Sequence, residues 1–124
     1  AVTYILGTCV HSVTWDTGRD DILLCAQAME TLEDFTISPD GAQVAVSIDR
    51  QMFVVPFDRD ALSGVRFRTD LQRLGTCPAL SPYTRNAVKQ VRWSADGAQL
   101  ALKIIGNDGN GRQVDLIQRI SIQG

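Results

Sequence analysis

The side chains that could carry out catalysis are few and scattered. His11 is the single histidine, two residues after Cys9. A nucleophile–histidine–acid arrangement would need a hydroxyl or thiol beside His11 and an acid to orient the ring. The sequence also lacks the Gly-x-Ser-x-Gly elbow that presents a serine nucleophile. Because His11 lies in a run with Val10 and Val13, a structural or surface role is favoured, and no catalytic residue is predicted.

The three cysteines do not have metal-ligand spacing. Cys9, Cys25 and Cys77 are each far apart, whereas a zinc site needs pairs of Cys or His a few residues apart. We interpret them as buried thiols, with one disulfide left open as an alternative. The odd number argues against a disulfide framework.

A glycine-rich segment, residues 106–111, offers oxygen ligands for a cation. A calcium loop would use Asn107, Asp108, Asn110 and Asp115. Calcium loops need several carboxylates at alternating positions and a bidentate acid, whereas this segment has one aspartate between two asparagines. A hairpin loop in which glycines supply positive φ is therefore favoured, and neither a metal nor a cofactor is predicted.

Composition excludes several classes of function. The 124 residues carry 12 basic and 14 acidic side chains, which gives a net charge of −2 and no basic surface for nucleic acid. Hydrophobic residues make up 44%, enough for a packed core. The longest apolar runs, residues 22–26 and 52–57, fall short of the ~20 residues that span a bilayer. The start at Ala1 shows no intact signal peptide. We expect one folded domain at most, without a transmembrane segment.

The elements that position these residues are indicated by an internal repeat. Residues 35–48 align without a gap with residues 91–104. Half of the aligned positions are identical: Ser38/Ser94, Asp40/Asp96, Gly41/Gly97, Ala42/Ala98, Gln43/Gln99, Ala45/Ala101 and Ile48/Ile104. The rest are largely conservative apolar exchanges.

Each copy of the repeat predicts two strands joined by a tight turn. In Ser38-Pro39-Asp40-Gly41 the proline presets φ, the aspartate can bond nearby backbone, and Gly41 supplies the left-handed residue after a type I turn. Ser94-Ala95-Asp96-Gly97 repeats this chemistry without the proline. The strand that follows the first turn, residues 44–48, is almost continuously apolar. This pattern predicts burial on both faces between stacked sheets.

This arrangement resembles the blades of WD40-like β-propellers. The strand at residues 51–57 ends in Phe57-Asp58 where that family has Trp-Asp, and Trp15-Asp16 gives a second such ending. The segment Met29–Leu32 stands where WD40 blades have Gly-His, so their Asp-His-Ser/Thr-Trp network cannot form. The TolB-like (PD40) propellers, which carry Ser-Pro-Asp-Gly without that network, are at least as similar. Their likeness favours a bacterial periplasm or cell surface.

The resemblance implies an all-β fold of antiparallel, four-stranded propeller blades. About two and a half blades are expected, so the propeller is incomplete. Residues 1–33 would end one blade, 34–74 would form a full blade with its fourth strand near Val65–Thr69, and 89–124 would begin the next. Residues 75–88 would be an inserted loop. The missing blades would come from a longer parent chain or from further copies.

The inserted loop is the predicted partner-binding element. The connection from Asp58 to Ser94 spans 36 residues, against 22 from Asp16 to Ser38, and long loops are disproportionately functional. The candidate contact residues are Pro78, Leu80, Pro82, Tyr83 and Arg85. The alternative is a solvated insertion without a role.

Three functions follow from the resemblance alone. The favoured function is a non-catalytic protein–protein interaction or scaffold module, part of a larger propeller or multi-subunit assembly. The alternatives are a portion of a substrate-gating propeller of a hydrolase or peptidase, and a structural subunit of a large complex. The expected partners are other protein chains or further blades of the same parent chain.

Overall fold

Three antiparallel sheets make up most of the chain. The computed structural model describes residues 2–27, 29–65, 68–74 and 88–122, and in these ranges nine strands and two short helices are formed. The first sheet contains β1 (Val2–Leu6), β2 (Cys9–Val13) and β3 (Asp20–Cys25); the second contains β4 (Leu32–Ile37), β5 (Gln43–Ile48) and β6 (Gln51–Pro56); and the third contains β7 (Val88–Trp93), β8 (Gln99–Asn107) and β9 (Gln113–Ser121). Helices α1 (Arg59–Ser63) and α2 (Arg68–Leu74) follow β6. Each sheet is a meander of consecutive strands, and the predicted all-β antiparallel architecture is confirmed.

The second sheet lies between the other two. Along β5, alternate side chains point to opposite faces. Val44, Val46 and Ile48 join a core with the first sheet, while Ala45 joins a core with the third. All of these side chains are buried, which confirms the predicted double-sided burial of this strand. The third sheet differs, because β8 alternates buried and partly exposed residues and so packs on one face only.

Two hydrophobic cores hold the sheets together. The first core joins the first and second sheets and the helices: Val10, Leu23, Leu24, Leu32, Phe35, Val44, Val46, Ile48, Phe53, Val55, Leu62, Val65 and Leu71. The second core joins the second and third sheets: Ala45, Met52, Val54, Val88, Val91, Leu100, Leu102 and Ile104. Burial of this kind is the main driving force for stacking the sheets.

The predicted four-stranded blade is wrong for the part of the chain that the structure describes. Each sheet has three strands, and α2 begins at Arg68, inside the segment predicted as a fourth strand. Asp58, expected to end a strand, is instead the N-cap of α1, where its Oδ1 accepts hydrogen bonds from the amides of Asp60 at 3.0 Å and Ala61 at 3.2 Å. Leu62 and Leu71 are completely buried in the first core. Helices therefore contribute to the first core in the part of the chain where a fourth strand was predicted.

The two Ser-x-Asp-Gly turns share one geometry. In the first, the Ser38 hydroxyl donates to Asp40 Oδ1 at 2.6 Å and accepts from the Gln43 amide at 3.1 Å, and Gly41 has φ 76°. In the second, the Ser94 hydroxyl donates to Asp96 at 2.6 Å, and Gly97 has φ 72°. In each turn the hydroxyl bond to the aspartate is the main cause of a lowered carboxyl pKa. The two copies of the repeat also share their strand register. The β4–β5 and β7–β8 pairs have bulges at equivalent positions, Leu32/Asp34 and Val88/Gln90.

Polar bonds fix the third sheet against the second. Asp34 Oδ2 accepts hydrogen bonds from the Val91 amide at 2.7 Å and from Arg92 at 2.9 Å. The Trp93 indole donates to the Thr36 carbonyl at 2.9 Å. The buried Ser47 hydroxyl donates to the carbonyl of Val88 at 2.8 Å. These directional hydrogen bonds fix the position of the third sheet relative to the second, whereas apolar packing alone is not directional.

Candidate protein-binding surface

The predicted partner-binding residues lie outside the described part of the chain. Pro78, Leu80, Pro82, Tyr83 and Arg85 all belong to the undescribed range 75–87. Their role in partner binding stays a prediction.

The glycine-rich loop uses its single aspartate to close a turn. Asp108 Oδ1 accepts hydrogen bonds from the amides of Asn110 at 2.8 Å and Arg112 at 2.9 Å. Gly111 has φ 78°, and its amide donates to the Asp108 carbonyl at 3.2 Å. Among the described residues, no three His, Cys, Asp or Glu side chains are grouped so that they could hold a metal ion.

His11 belongs to a polar cluster on the outer face of the first sheet. Its Nδ1 lies 3.1 Å from Asp20 Oδ1, and the Tyr4 hydroxyl donates to Asp20 Oδ2 at 2.7 Å. The Tyr4 and His11 rings stack with centroids 5.0 Å apart. The hydrogen bond between Tyr4 and Asp20 is the main cause of both a raised tyrosine pKa and a lowered aspartate pKa. The nearest candidates for a nucleophile are unsuitable, because Cys9 is oxidised and Ser12 is buried.

A disulfide crosses the first sheet beside this cluster. Cys9 and Cys25 are directly opposite in the β2–β3 register and are bonded to one another. Their Cα atoms are 4.1 Å apart, as expected for neighbours across an antiparallel non-hydrogen-bonded pair. The sequence left one disulfide open as an alternative to free thiols, and Cys9 and Cys25 form that disulfide. Cys77 lies outside the described residues.

The outer face of the first sheet is otherwise apolar and exposed. Tyr4, His11 and Ile22 are cross-strand partners, so they point away from Val10 and Leu24, which are buried in the first core. The large apolar side chains that remain exposed on this face are Val2, Tyr4, Leu6 and Ile22, the last two at 63% and 58%. We call this set the first-sheet face.

Trp15 is a further large exposed side chain in the connection between two strands of the first sheet. It lies in the β2–β3 turn, which is closed by a hydrogen bond from the Gly18 amide to the Thr14 carbonyl at 2.8 Å. The indole is 75% exposed. Exposed tryptophan and tyrosine are characteristic of protein-binding surfaces, because they combine a large apolar area with a polar group. The sequence predicted Trp15 only as a strand ending and did not identify this face.

The outer face of the third sheet carries a group of charged side chains. Lys103 occupies the position that corresponds in the repeat to Ser47, which is buried between sheets. Both Lys103 and Lys89 pair with Asp115, at 3.6 Å and 3.3 Å. These two lysines account for the lowered pKa of Asp115, the hydrogen bond from Lys89 being the largest cause. The outer face of the third sheet therefore combines these charged side chains with the exposed Ile117, the cross-strand partner of Lys103.

A polar cleft of about 480 Å³ lies where the second and third sheets meet. It is lined by Thr31, Glu33, Asp49, Arg50, Lys89, Gln90 and Lys103. The Glu33 carboxylate accepts from the Arg50 amide at 3.0 Å, and partial burial raises its pKa. Acidic and basic side chains are mixed in this lining. No described helix is both long and apolar enough to cross a membrane.

Comparison with known proteins gives a distant structural similarity. No family model matches the chain, and no curated protein matches it in sequence. One solved structure, described as "Kluyveromyces lactis Hsv2 complete loop 6CD", matches with a TM-score of 0.35 and 15% identity over 94% of this chain. The chain spans 42% of the length of that structure. At this TM-score the similarity establishes neither a family nor a fold.

Proposed function

We propose that this chain is a non-catalytic protein–protein interaction module, part of a larger β-propeller or multi-subunit assembly. In this proposal the three stacked meanders are consecutive propeller-like blades, each reduced to three strands. The first-sheet face is where another protein surface or a further blade packs.

The observation that carries this proposal is the apolar character of the first-sheet face. Leu6 and Ile22 are each more than half exposed, and Val2 and Tyr4 beside them are also exposed. Soluble proteins rarely leave several large apolar side chains together on one surface unless a partner covers them. The facing surfaces of the second sheet and its two neighbours form the two hydrophobic cores, so the stacking of sheets in this protein already uses apolar faces of this kind.

The polar cluster of Tyr4, His11 and Asp20 would orient a partner that binds to the first-sheet face. Asp20 is 46% exposed while it bonds both Tyr4 and His11. A partner that brings a cation or a hydrogen-bond donor opposite Asp20 would be favoured, whereas one that brings a carboxylate would be disfavoured. Such polar groups fix the register of an interface whose free energy comes mainly from apolar burial.

The test is site-specific photocrosslinking in the cell that makes the protein. A benzophenone side chain placed at position 22 should crosslink to one defined protein segment, which mass spectrometry would identify. The matched control is the same group at Asn110, an exposed residue of the β8–β9 turn. Equal, unselective crosslinking from both positions would show that nothing covers the first-sheet face.

A second measurement separates binding from folding. Ile22→Lys should abolish the specific crosslinked product from a benzophenone placed at Leu6, while the thermal unfolding midpoint stays unchanged because Ile22 is 58% exposed. Asn110→Lys adds the same charge elsewhere and should leave the product intact. If Ile22→Lys left the yield unchanged, the proposed surface would be wrong.

A further inference from the structure

In the described ranges, one edge of strand β9 has no strand paired with it and is long and regular. Within the described ranges it pairs with β8 alone, whereas helices α1 and α2 pack against the corresponding third strands, β3 and β6. It is nine residues long, contains no proline, and pairs with β8 without a register shift. Exposed edges in natural proteins are usually short, bulged, rich in lysine or covered, because a free edge can pair with another chain. Among the described residues nothing covers the edge of β9, and of these protections it has only two charged side chains, Asp115 and Arg119.

The ladder shows which backbone groups face the free edge. The Ile122 amide bonds the Ala98 carbonyl at one end of the β8–β9 hairpin, and the Asp108 amide bonds the Arg112 carbonyl at the other. Hydrogen-bonded pairs alternate along an antiparallel ladder, and both of these pairs involve even-numbered residues. The amides and carbonyls of odd-numbered β9 residues, including Asp115, Ile117 and Arg119, therefore point away from β8.

These odd-numbered residues are self-complementary. In an antiparallel pairing of β9 with a second β9 centred on Ile117, Ile117 lies opposite itself, and Asp115 lies opposite Arg119 at two symmetric positions. The same register places Gln113 opposite Ser121. Every pair therefore joins two odd-numbered residues, whose backbone amides and carbonyls face the free edge. Opposite charges across strands stabilise a pairing, and like charges destabilise it. A shift of the register by two residues along the strand would separate Asp115 from Arg119.

We propose that two copies of this chain associate through antiparallel pairing of their β9 edges, centred on Ile117, which joins their third sheets into one continuous sheet. The interface is two-fold symmetric, as in most homodimers. Ile117 is 72% exposed in the single chain and would be covered at the centre. This association uses a different surface from the first-sheet face and does not depend on the function proposed for it.

A pair of charge-reversal variants tests the register. The background is Ile22→Lys, which removes association through the first-sheet face, and the readout is sedimentation equilibrium over a concentration series. The background protein should form a dimer. Asp115→Arg alone, or Arg119→Asp alone, places like charges opposite each other twice and should weaken dimerisation at least about tenfold.

Mixing the two variants provides the decisive result. An Asp115→Arg chain and an Arg119→Asp chain restore opposite charges at both positions, so the mixture should form heterodimers. Circular dichroism of each variant alone verifies the fold, since Asp115→Arg also removes the contacts with Lys89 and Lys103. A background protein that is monomeric at every concentration, single variants that dimerise normally, or a mixture that stays monomeric would each overturn the proposal.

Discussion

Replacing Asp34 by alanine should loosen the junction between the second and third sheets. Its carboxylate bonds the Val91 amide at 2.7 Å and Arg92 at 2.9 Å. The Asp34 side chain is only 14% exposed, and Val91 is completely buried. Loss of a charged acceptor from a buried amide costs about 1.5–3 kcal/mol. The Arg92 side chain is 64% exposed, so its ion pair contributes at most about 1 kcal/mol.

The expected loss of unfolding free energy for Asp34→Ala is therefore about 1.5–4 kcal/mol. Urea denaturation followed by tryptophan fluorescence measures it, because Trp93 donates across the same junction. Arg92→Ala is the matched control, since it removes the ion pair but keeps the acceptor of the Val91 amide. It should cost less than about 1 kcal/mol. Equal losses for both variants would show that the Asp34–Val91 bond does not stabilise the junction.

The remaining predictions concern the turns and the disulfide. Gly41→Val should cost about 1–3 kcal/mol by urea denaturation because φ is 76°, whereas Gly109→Val, where φ is ordinary and nothing lies within 4 Å, should be tolerated. Reducing the disulfide of the first sheet should lower stability by about 3 kcal/mol, since it closes a loop of 16 residues, and an unchanged melting temperature with reductant would contradict this. The pKa of Asp40 is below its ordinary 3.8 in the folded chain, so its stabilisation is present above that pH and lost as the pH falls further. Asp40→Asn should therefore flatten the acid limb of a stability–pH profile.

Local patterns were sufficient to predict most of the strands. The apolar runs and the Ser-x-Asp-Gly turns predicted β4, β5, β7 and β8 close to their observed bounds, because strand alternation and turn chemistry depend on neighbours in sequence. The prediction of a fourth strand was wrong because the segment after Phe57 contains both residues that favour strands and a residue that caps a helix. The capping by Asp58 and the packing of Leu62 decide between them, and the packing is visible only in the folded chain.

Contacts between distant residues could not be predicted in this way. The bond from Asp34 to Val91 joins residues 57 positions apart, and it exists only because the second and third sheets stack. The pairing of Cys9 with Cys25 depends on the bulged register of β2 and β3. The first-sheet face is apolar by the same alternation that predicts core residues, so the sequence gives no sign of which face remains uncovered.

The meander connectivity has a consequence for local opening. Each sheet is built from strands adjacent in sequence, and within the described residues the two cores join only neighbouring sheets. The free energy of unfolding is therefore approximately a sum of one contribution from each sheet and one from each junction between sheets. The second sheet takes part in both junctions, while each outer sheet takes part in one. Amide hydrogen exchange should therefore be slowest in β5, and the first and third sheets should open independently at lower free energy. In the part of the chain that the structure describes, a disturbance at one end of the stack would reach the other through the middle sheet.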